Sequence, residues 1–454
     1  MAITDHNNRT LLIIGILSIA LLVLSGCKRS SLQAVNKRVL PGLSEPVRVS
    51  SGDANAAEPA IAASPDGSVY VVWVNHGPKS QADVMIVRFT SDGKMQGLPT
   101  RVNSKPGIAT AWRGDPPTVA VTPDQTVLVG WTARVDSESG HASDIYLSSS
   151  KDHGQTFGAP VKVNDDPKPA IHGMHSLTVA KDGHIYVAWL DERNVTSLPM
   201  KDMKMDTQTS GHMENNREVF IAASTDGGHT FAKNQRVASN VCPCCKTSLA
   251  TTSDGRLYLS WRQVLPGDFR HIAVASSPDH GQTFTPPKIV SDDQWVLAGC
   301  PVSGATLFAG NDGSVQALWY SEGKNGETGL YSSITKDQGV TFGPRQLVAA
   351  GGVRGTPVLV DRRGGLAAVW QGVENNSERV LITLWVGDAA VPPSFVVVTD
   401  AELPAAAANG ERLFIAYVGK IANVGKAAAG QTVWLVSIAK PGLSGSISEG
   451  RARS

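Results

Sequence analysis

The stretch "NVCPCCKTSL", Asn240–Leu249, gathers Cys242, Cys244 and Cys245 in a 454-residue chain that has only five cysteines. Three chemistries are open to such a cluster: paired disulfides, a soft metal site, or a redox-active or mixed arrangement. Cys300, in "AGCPVSG", is a fourth thiol available to it. "AIHGMHSL" adds His172, Met174 and His175, and "SLPMKDMKMDTQTSGHMENN" adds Met200, Met203, Met205, His212 and Met213. Thiolate, imidazole and thioether together suit Cu(I), and zinc if only Cys and His bind. The expected ligand set for copper or zinc is Cys242, Cys244, Cys245 and Cys300, with His172, His175 and Met174 as further donors. Two disulfides would use the same four thiols and leave the His and Met enrichment unexplained.

The N-terminus sets the compartment. An apolar run, Leu11–Leu24, follows a short lead containing Arg9 and ends in "LSGC" at Cys27. A helical bilayer span needs about 20 apolar residues, so this run reads as a secretory signal. "LSGC" resembles a bacterial lipobox, which implies cleavage before Cys27 and lipidation of its thiol. Lys28 after the cysteine points to the outer membrane by the same resemblance. The expected organisation is 1–26 signal peptide, 27–45 tether, 46–444 folded domain and 445–454 disordered tail. The expected address is the cell envelope, with the membrane as partner through the lipid anchor. That compartment is oxidising, so disulfides are permitted. Lys and Arg number 41 against 40 Asp and Glu, a net charge of +1 that offers no footprint for nucleic acid.

Elements that position these residues follow from a repeat. "DGSVYVVW", "DQTVLVGW", "DGHIYVAW", "DGRLYLSW", "DGSVQALW", "RGGLAAVW" and "GERLFIAY" end at Trp73, Trp131, Trp189, Trp261, Trp319, Trp370 and Tyr417. The first three stand 58 residues apart (131 − 73 and 189 − 131). Each run alternates like a strand behind a turn, and a period of this length holds four strands. The fold class is therefore all-β: a β-propeller of four-stranded antiparallel blades, seven by count, with six as the fallback. The last unit lacks its fourth strand, and "PVRVSS", Pro46–Ser51, has the missing pattern. Pairing the two would close the ring and remove open sheet edges.

Four hairpins share a sharper motif: "SKDHGQTF", "STDGGHTF", "SPDHGQTF" and "TKDQGVTF", centred on Asp152, Asp226, Asp279 and Asp337. Their carboxylates can bond N–H groups of their own turns, and the glycine supplies a positive φ. The motif resembles the Asp-box, or BNR repeat, of the sialidase superfamily, over about Glu58 to Ser444. This resemblance implies structural Asp-boxes and a functional site on the opposite, top face, where strand-two-to-three loops and inter-blade connections lie. Sialidases of the superfamily use three arginines, a Tyr/Glu nucleophile pair and an Asp acid/base. Their first arginine belongs to an R-I-P motif, and here Ala57-Glu58-Pro59 stands in its place. No catalytic residue carries over by motif. The polar candidates on the top face are Arg113, Asp115, Asp191, Arg193, Arg262, Tyr320, Glu322 and Arg354. Their plainer use is as loop charges and salt bridges. Three functions compete: binding of a soft metal or small ligand through the Cys/His/Met cluster, sialidase-type glycoside hydrolysis, and a non-enzymatic interaction scaffold. The expected partner is accordingly a small-molecule, metal or glycan ligand on the top face.

Cys27→Ser is expected to release the protein from membranes as a folded soluble domain. Fractionation after a salt wash checks this, and full retention in the membrane pellet refutes lipid anchoring.

Overall fold

A computed structural model describes residues 40–51, 55–110, 112, 114–137, 142–195, 217–297, 302–361, 365–374, 377–385, 392–420 and 430–439. Among them strands pair antiparallel throughout, as five four-stranded sheets and one of eight. The eight-stranded sheet is two four-stranded units joined by one pairing, Val241 with Gln263. The units follow one another along the chain, and their first strands are Asn55–Ala63, Thr118–Val121, His172–Val179, Ser248–Thr251, Thr306–Ala309, Val353–Asp361 and Ala401–Ala408. This is a β-propeller.

Strand periodicity explains why the units stack. In Val127–Arg134, Val127, Val129 and Trp131 pack on the first unit, while Leu128 packs with Ile185 and Val187 of the third. Side chains alternate across a strand, so a sheet apolar on both faces needs a neighbour on each side. Seven apolar clusters result, each shared by adjacent units. The six repeated tryptophans are at most 5 % exposed, and every indole N–H finds an acceptor. Large rings are thus buried without orphaned donors.

Closure runs through the N-terminal segment. Val47 pairs with Leu435 and Arg48 with Trp434 on strand Gln431–Ala439. The contact begins earlier than the expected tether boundary at residue 45. Leu43 bridges Ile438, Ser44 N–H donates to Ser437 O at 2.8 Å, and Leu40 is 2 % exposed. Apolar Leu40 and Leu43 explain the difference, since both join the core between the last two units.

The four Asp-boxes share one hydrogen-bond pattern. Asp279 accepts from Thr283 N–H at 2.8 Å, Thr283 Oγ1 at 2.6 Å and Ser277 Oγ at 2.8 Å. Asp152, Asp226 and Asp337 repeat it. Gly281, at φ 83°, donates to Ser277 Oγ at 2.8 Å. Its Cα side faces Tyr186 of the preceding unit, and Tyr186 Oη lies 3.2 Å from His280 Nδ1. The boxes therefore stitch neighbouring units.

Asp279→Ala should lower stability by roughly 1–2 kcal/mol, the net value of these turn bonds discounted for solvent exposure. The Thr283 and Ser277 hydrogen bonds hold the Asp279 carboxyl at about 2. A depressed native pKa stabilises above the ordinary carboxylate range, and that contribution disappears as pH falls through the native value. The Tm gap between wild type and variant should therefore close between about pH 4 and about pH 2.

Candidate functional site

The first strands of all seven units line a central channel, with Ile61, Val119, Leu177, Leu249, Thr306, Val358 and Ala406 among its wall residues. Its mouth lies at the end opposite the Asp-boxes. Each unit sends residues there from its first strand or from the connection that enters it: Glu58, Pro116, Met174, Lys246, Val302, Arg354 and Leu403 in chain order. Four of those strands carry a register shift beside the mouth: between Ala57 and Ala60, Gly173 and Ser176, Arg354 and Val358, and Glu402 and Ala405. Glu58, Met174, Gly355 and Leu403 have φ of 51°, 54°, 67° and 52° within them. A bulge re-aims a side chain, and a non-glycine residue held at positive φ costs free energy, a combination that concentrates at functional sites.

Among the described lining residues, only Glu58, Lys246 and Arg354 are ionisable at this mouth. Glu58 is buried, and its Oε2 lies 2.5 Å from His76 Nε2. Arg354 is exposed. Lys246 donates to Pro116 O at 3.4 Å, and burial lowers its pKa to about 8 against the opposing charge of Asp115. A lysine that titrates near neutrality is a proton-transfer group or a switchable cation. Its backbone is tightly held: a Cβ on Gly304 would stand 2.2 Å from Lys246 O. Trp112, 49 % exposed, lies against Gly114 of the same mouth.

The candidate charges separate by role. Asp115 turns inward, accepting from Met174 N–H at 2.9 Å and Thr132 Oγ1 at 3.1 Å, with His175 Nδ1 at 3.5 Å. Burial opposes its ionisation, but His175 and Lys246 together hold its carboxyl below the ordinary range. Asp191 is fully buried and accepts from Trp189 Nε1 at 2.7 Å and Arg193 Nε at 3.0 Å. Arg193 also bonds Asp165 at 2.7 Å and covers the Phe220 ring. Arg262, 1 % exposed, spends its guanidinium on the carbonyls of Ser303, Arg270 and Tyr320 and stacks over Trp295. These three are fastenings between blades. Tyr320 donates to Glu322 Oε1, and burial with the Glu322 charge pushes its phenol pKa up. Arg354 is close enough to act on that phenol. Arg113 lies outside the described residues.

The cysteines form a compact trio. Cys245 Sγ donates to Cys242 Sγ at 3.5 Å, and Cys244 Sγ lies 3.9 Å from Cys242 Sγ. Cys242 and Cys245 are buried free thiols, whereas Cys244 is disulfide-bonded. The outcome is a mixed arrangement. Cys245's hydrogen bond and the charges of Arg262 and Arg270 pull Cys242 down to about 6 despite burial, which itself pushes Cys245 up. Met174 packs in the same cluster.

Of the expected copper or zinc ligands, the sulfurs of Cys242, Cys244 and Cys245 lie within 4.8 Å of one another, and His172 falls in a separate group with Asp144 and Asp166. A bonded Cys244 is no thiolate, which leaves the trio two. His172 pairs instead with Asp166 at 3.2 Å and Asp191 at 3.4 Å, and His175 with Asp115. Each imidazole thus has a carboxylate beside it. Cys300, Met200, Met203, Met205, His212 and Met213 lie outside the described residues. Lys246 was missed in the sequence, although its place directly after "CPCC" at the start of a repeat was a usable signal.

The sequence matches the family described as BNR repeat-like domain over residues 67–356, more than half of the chain. The chain belongs to that family. The resemblance of its Asp-boxes to the BNR repeats of the sialidase superfamily agrees with that match. No curated protein sequence matches the chain. Similar solved structures include an unknown-function protein from Dyadobacter fermentans, 15 % identical, covering 88 % of this chain and 100 % of that one at TM-score 0.46. The Hadza microbial sialidase Hz136 is 15 % identical, covering 82 % and 76 % at TM-score 0.47. A polysaccharide lyase, an ulvan lyase solved with -[GlcA(1-4)Rha3S]-, is 12 % identical, covering 87 % and 96 % at TM-score 0.50. At these identities the likeness is one of fold.

His172 yields a stability prediction. Burial alone would lower its pKa, but the Asp166 hydrogen bond and the Asp191 charge raise it. A raised native pKa stabilises fully below the unfolded value and is lost as pH rises through the native one. The Tm advantage of wild type over His172→Gln should therefore shrink as pH rises above about 6.5, the ordinary imidazole value.

Proposed function

We propose that this propeller binds an acidic saccharide at the mouth of its channel, with Lys246 and Arg354 facing the ligand's carboxylate or sulfate groups. One observation carries the reading. Two cations from the fourth and sixth units line the same cavity, where Glu58, the one acidic residue among the described lining residues, has His76 as partner and the buried Asp115 is the charge opposing Lys246. An arginine fork and an ammonium are the donors that anionic sugars require. The exposed Trp112 ring supports this too, since the C–H face of a sugar packs on such a surface. A fold shared with a lyase solved on a uronate- and sulfate-bearing glycan is compatible with the ligand class. The reading includes lipid anchoring at Cys27, which would present the mouth within the envelope.

Hydrolysis is a second reading, and the Tyr320–Glu322 hydrogen bond beside Arg354 favours it. A carboxylate that accepts a phenol proton is placed to activate that oxygen as a nucleophile. Turnover of fluorogenic glycosides that Tyr320→Phe abolishes would establish it.

Titration calorimetry with a glucuronate-containing oligosaccharide tests the main reading. Arg354→Ala and Lys246→Met should each weaken binding about tenfold or more, and the carboxyl-reduced oligosaccharide should bind neither variant nor wild type well. Lys246 is a cation only below its pKa of about 8, so wild-type affinity should fall as pH rises through that value. Lys246→Met should abolish that fall. Equal affinity for the carboxyl-reduced oligosaccharide refutes the reading.

A further inference from the structure

The Asp-box end of the propeller holds a group of side chains that the saccharide site does not use. Asp182 and His184 stand in the turn between His172–Val179 and Ile185–Asp191, the first two strands of the third unit. His280 belongs to the Asp-box of the fourth unit, which packs against the third. One ligand atom from each of these three residues lies within 4.8 Å of the other two. His184 Nδ1 is 3.0 Å from Asp182 Oδ1, and His280 Nδ1 is 3.6 Å from Asp182 Oδ2. The two imidazoles stack with centroids 4.3 Å apart. His184 Nδ1 is buried and, despite its approach to Asp182, makes no aligned hydrogen bond.

The repeat contains its own control. The residue after each box aspartate, at positive φ, is His153, Gly227, His280 or Gln338. Two places after the turn aspartate of the preceding unit stands Ser68, Thr126, His184 or Arg256. Two imidazoles coincide at one of these four junctions, that between the third and fourth units. At the first junction His153 has an equivalent tyrosine neighbour, Tyr70 Oη at 3.4 Å, where His280 has Tyr186 Oη at 3.2 Å. There Arg88 donates to the turn aspartate, Asp66, at 2.8 Å. Among the described residues Asp182 has no guanidinium beside it and faces the two imidazoles instead.

We propose that Asp182, His184 and His280 form a site for a divalent transition ion of the zinc class, bridging the third and fourth units. Imidazole nitrogen and carboxylate oxygen are donors that such ions accept, at bond lengths of about 2.0–2.2 Å. Donors around a tetrahedral ion of that size stand about 3.3 Å apart. The 3.0 and 3.6 Å separations bracket that distance, so little movement is needed. The ion would replace the tyrosine hydroxyl as the partner of His280 Nδ1. Three protein donors leave a fourth position for water. The side chains of His184, Asp182 and His280 are 25 %, 41 % and 43 % exposed, which gives the ion a way in. The site lies at the opposite end from the channel mouth and does not rest on the saccharide reading.

The tag-free full chain, stripped of metal with chelator, is titrated with zinc by calorimetry. His184→Ser, which installs the serine of the first junction, should weaken one zinc equivalent about tenfold or more, and so should His280→Ala. His153→Ala should leave that equivalent unchanged. Modification by diethyl pyrocarbonate, mapped by mass spectrometry, reads the wild-type protein directly: zinc should protect His184 and His280 but not His153. A circular-dichroism melt checks that the variants fold; if one does not, the wild-type protection pattern decides alone. The proposal is overturned if both variants match wild type in zinc affinity and stoichiometry, the outcome expected of zinc held by the cysteine trio alone. It is equally overturned if zinc leaves the modification of His184 and His280 unchanged.

Discussion

Everything in this molecule depends on a two-residue pairing, Val47 and Arg48 against the last strand. Each unit is apolar on both faces, and every unit but the first and last finds its two neighbours simply by chain order. Those two must find each other. The pairing brings Val49 into one cluster with Phe414, Val433, Val69 and Trp73, residues from opposite ends of the chain. Leu40 reinforces the join one unit earlier. Without closure two apolar faces and two strand edges would meet water, the condition that invites aggregation. Closing the ring orders a segment across most of the sequence, and its long contacts are formed at a large loop entropy.

Ring geometry then divides the labour between the two ends. One end carries Asp-boxes, whose carboxylates are consumed by their own turns and whose glycines allow close approach to the preceding blade. The other end collects one connection per unit around the channel. Non-glycine residues at positive φ occur at both ends: His153, His280 and Gln338 in the Asp-boxes, and Glu58, Met174 and Leu403 in the bulges of the latter. Rigid blades allow such positions to persist, because the surrounding sheet overdetermines them.

Buried charge is used mainly as fastening. Arg262 bolts the fourth unit to the fifth through carbonyls, and Asp191, Arg193, Asp165 and His172 tie the third to the second. Pairing makes these ions tolerable in the interior, where an isolated charge would be prohibitive. Two cations, Lys246 and Arg354, line the channel mouth, Lys246 with the buried Asp115 as its opposing charge. Lys246 directly follows Cys245, so the cysteine trio and the mouth share one piece of backbone.

The sequence alone determined the propeller, because strand periodicity, the tryptophan-ended repeat and the Asp-box are local patterns with local causes. A turn carboxylate reaches its own N–H groups whatever the rest of the chain does, and alternation puts apolar residues on both faces of a strand. It also singled out "CPCC" and the top-face charges. Which of those charges stay free was decided only by the tertiary structure. Arg262 and Arg354 look alike in sequence, but one meets three carbonyls in the interior and the other meets solvent at the mouth. His172 and His175 share a segment with Met174, yet carboxylates from other elements claim both rings. Among the described cysteines, Cys244 is disulfide-bonded while Cys242 and Cys245 keep free thiols, a division the spacing of "CPCC" does not reveal. Partner choice of this kind depends on through-space proximity between residues far apart in the chain, and no local pattern encodes it.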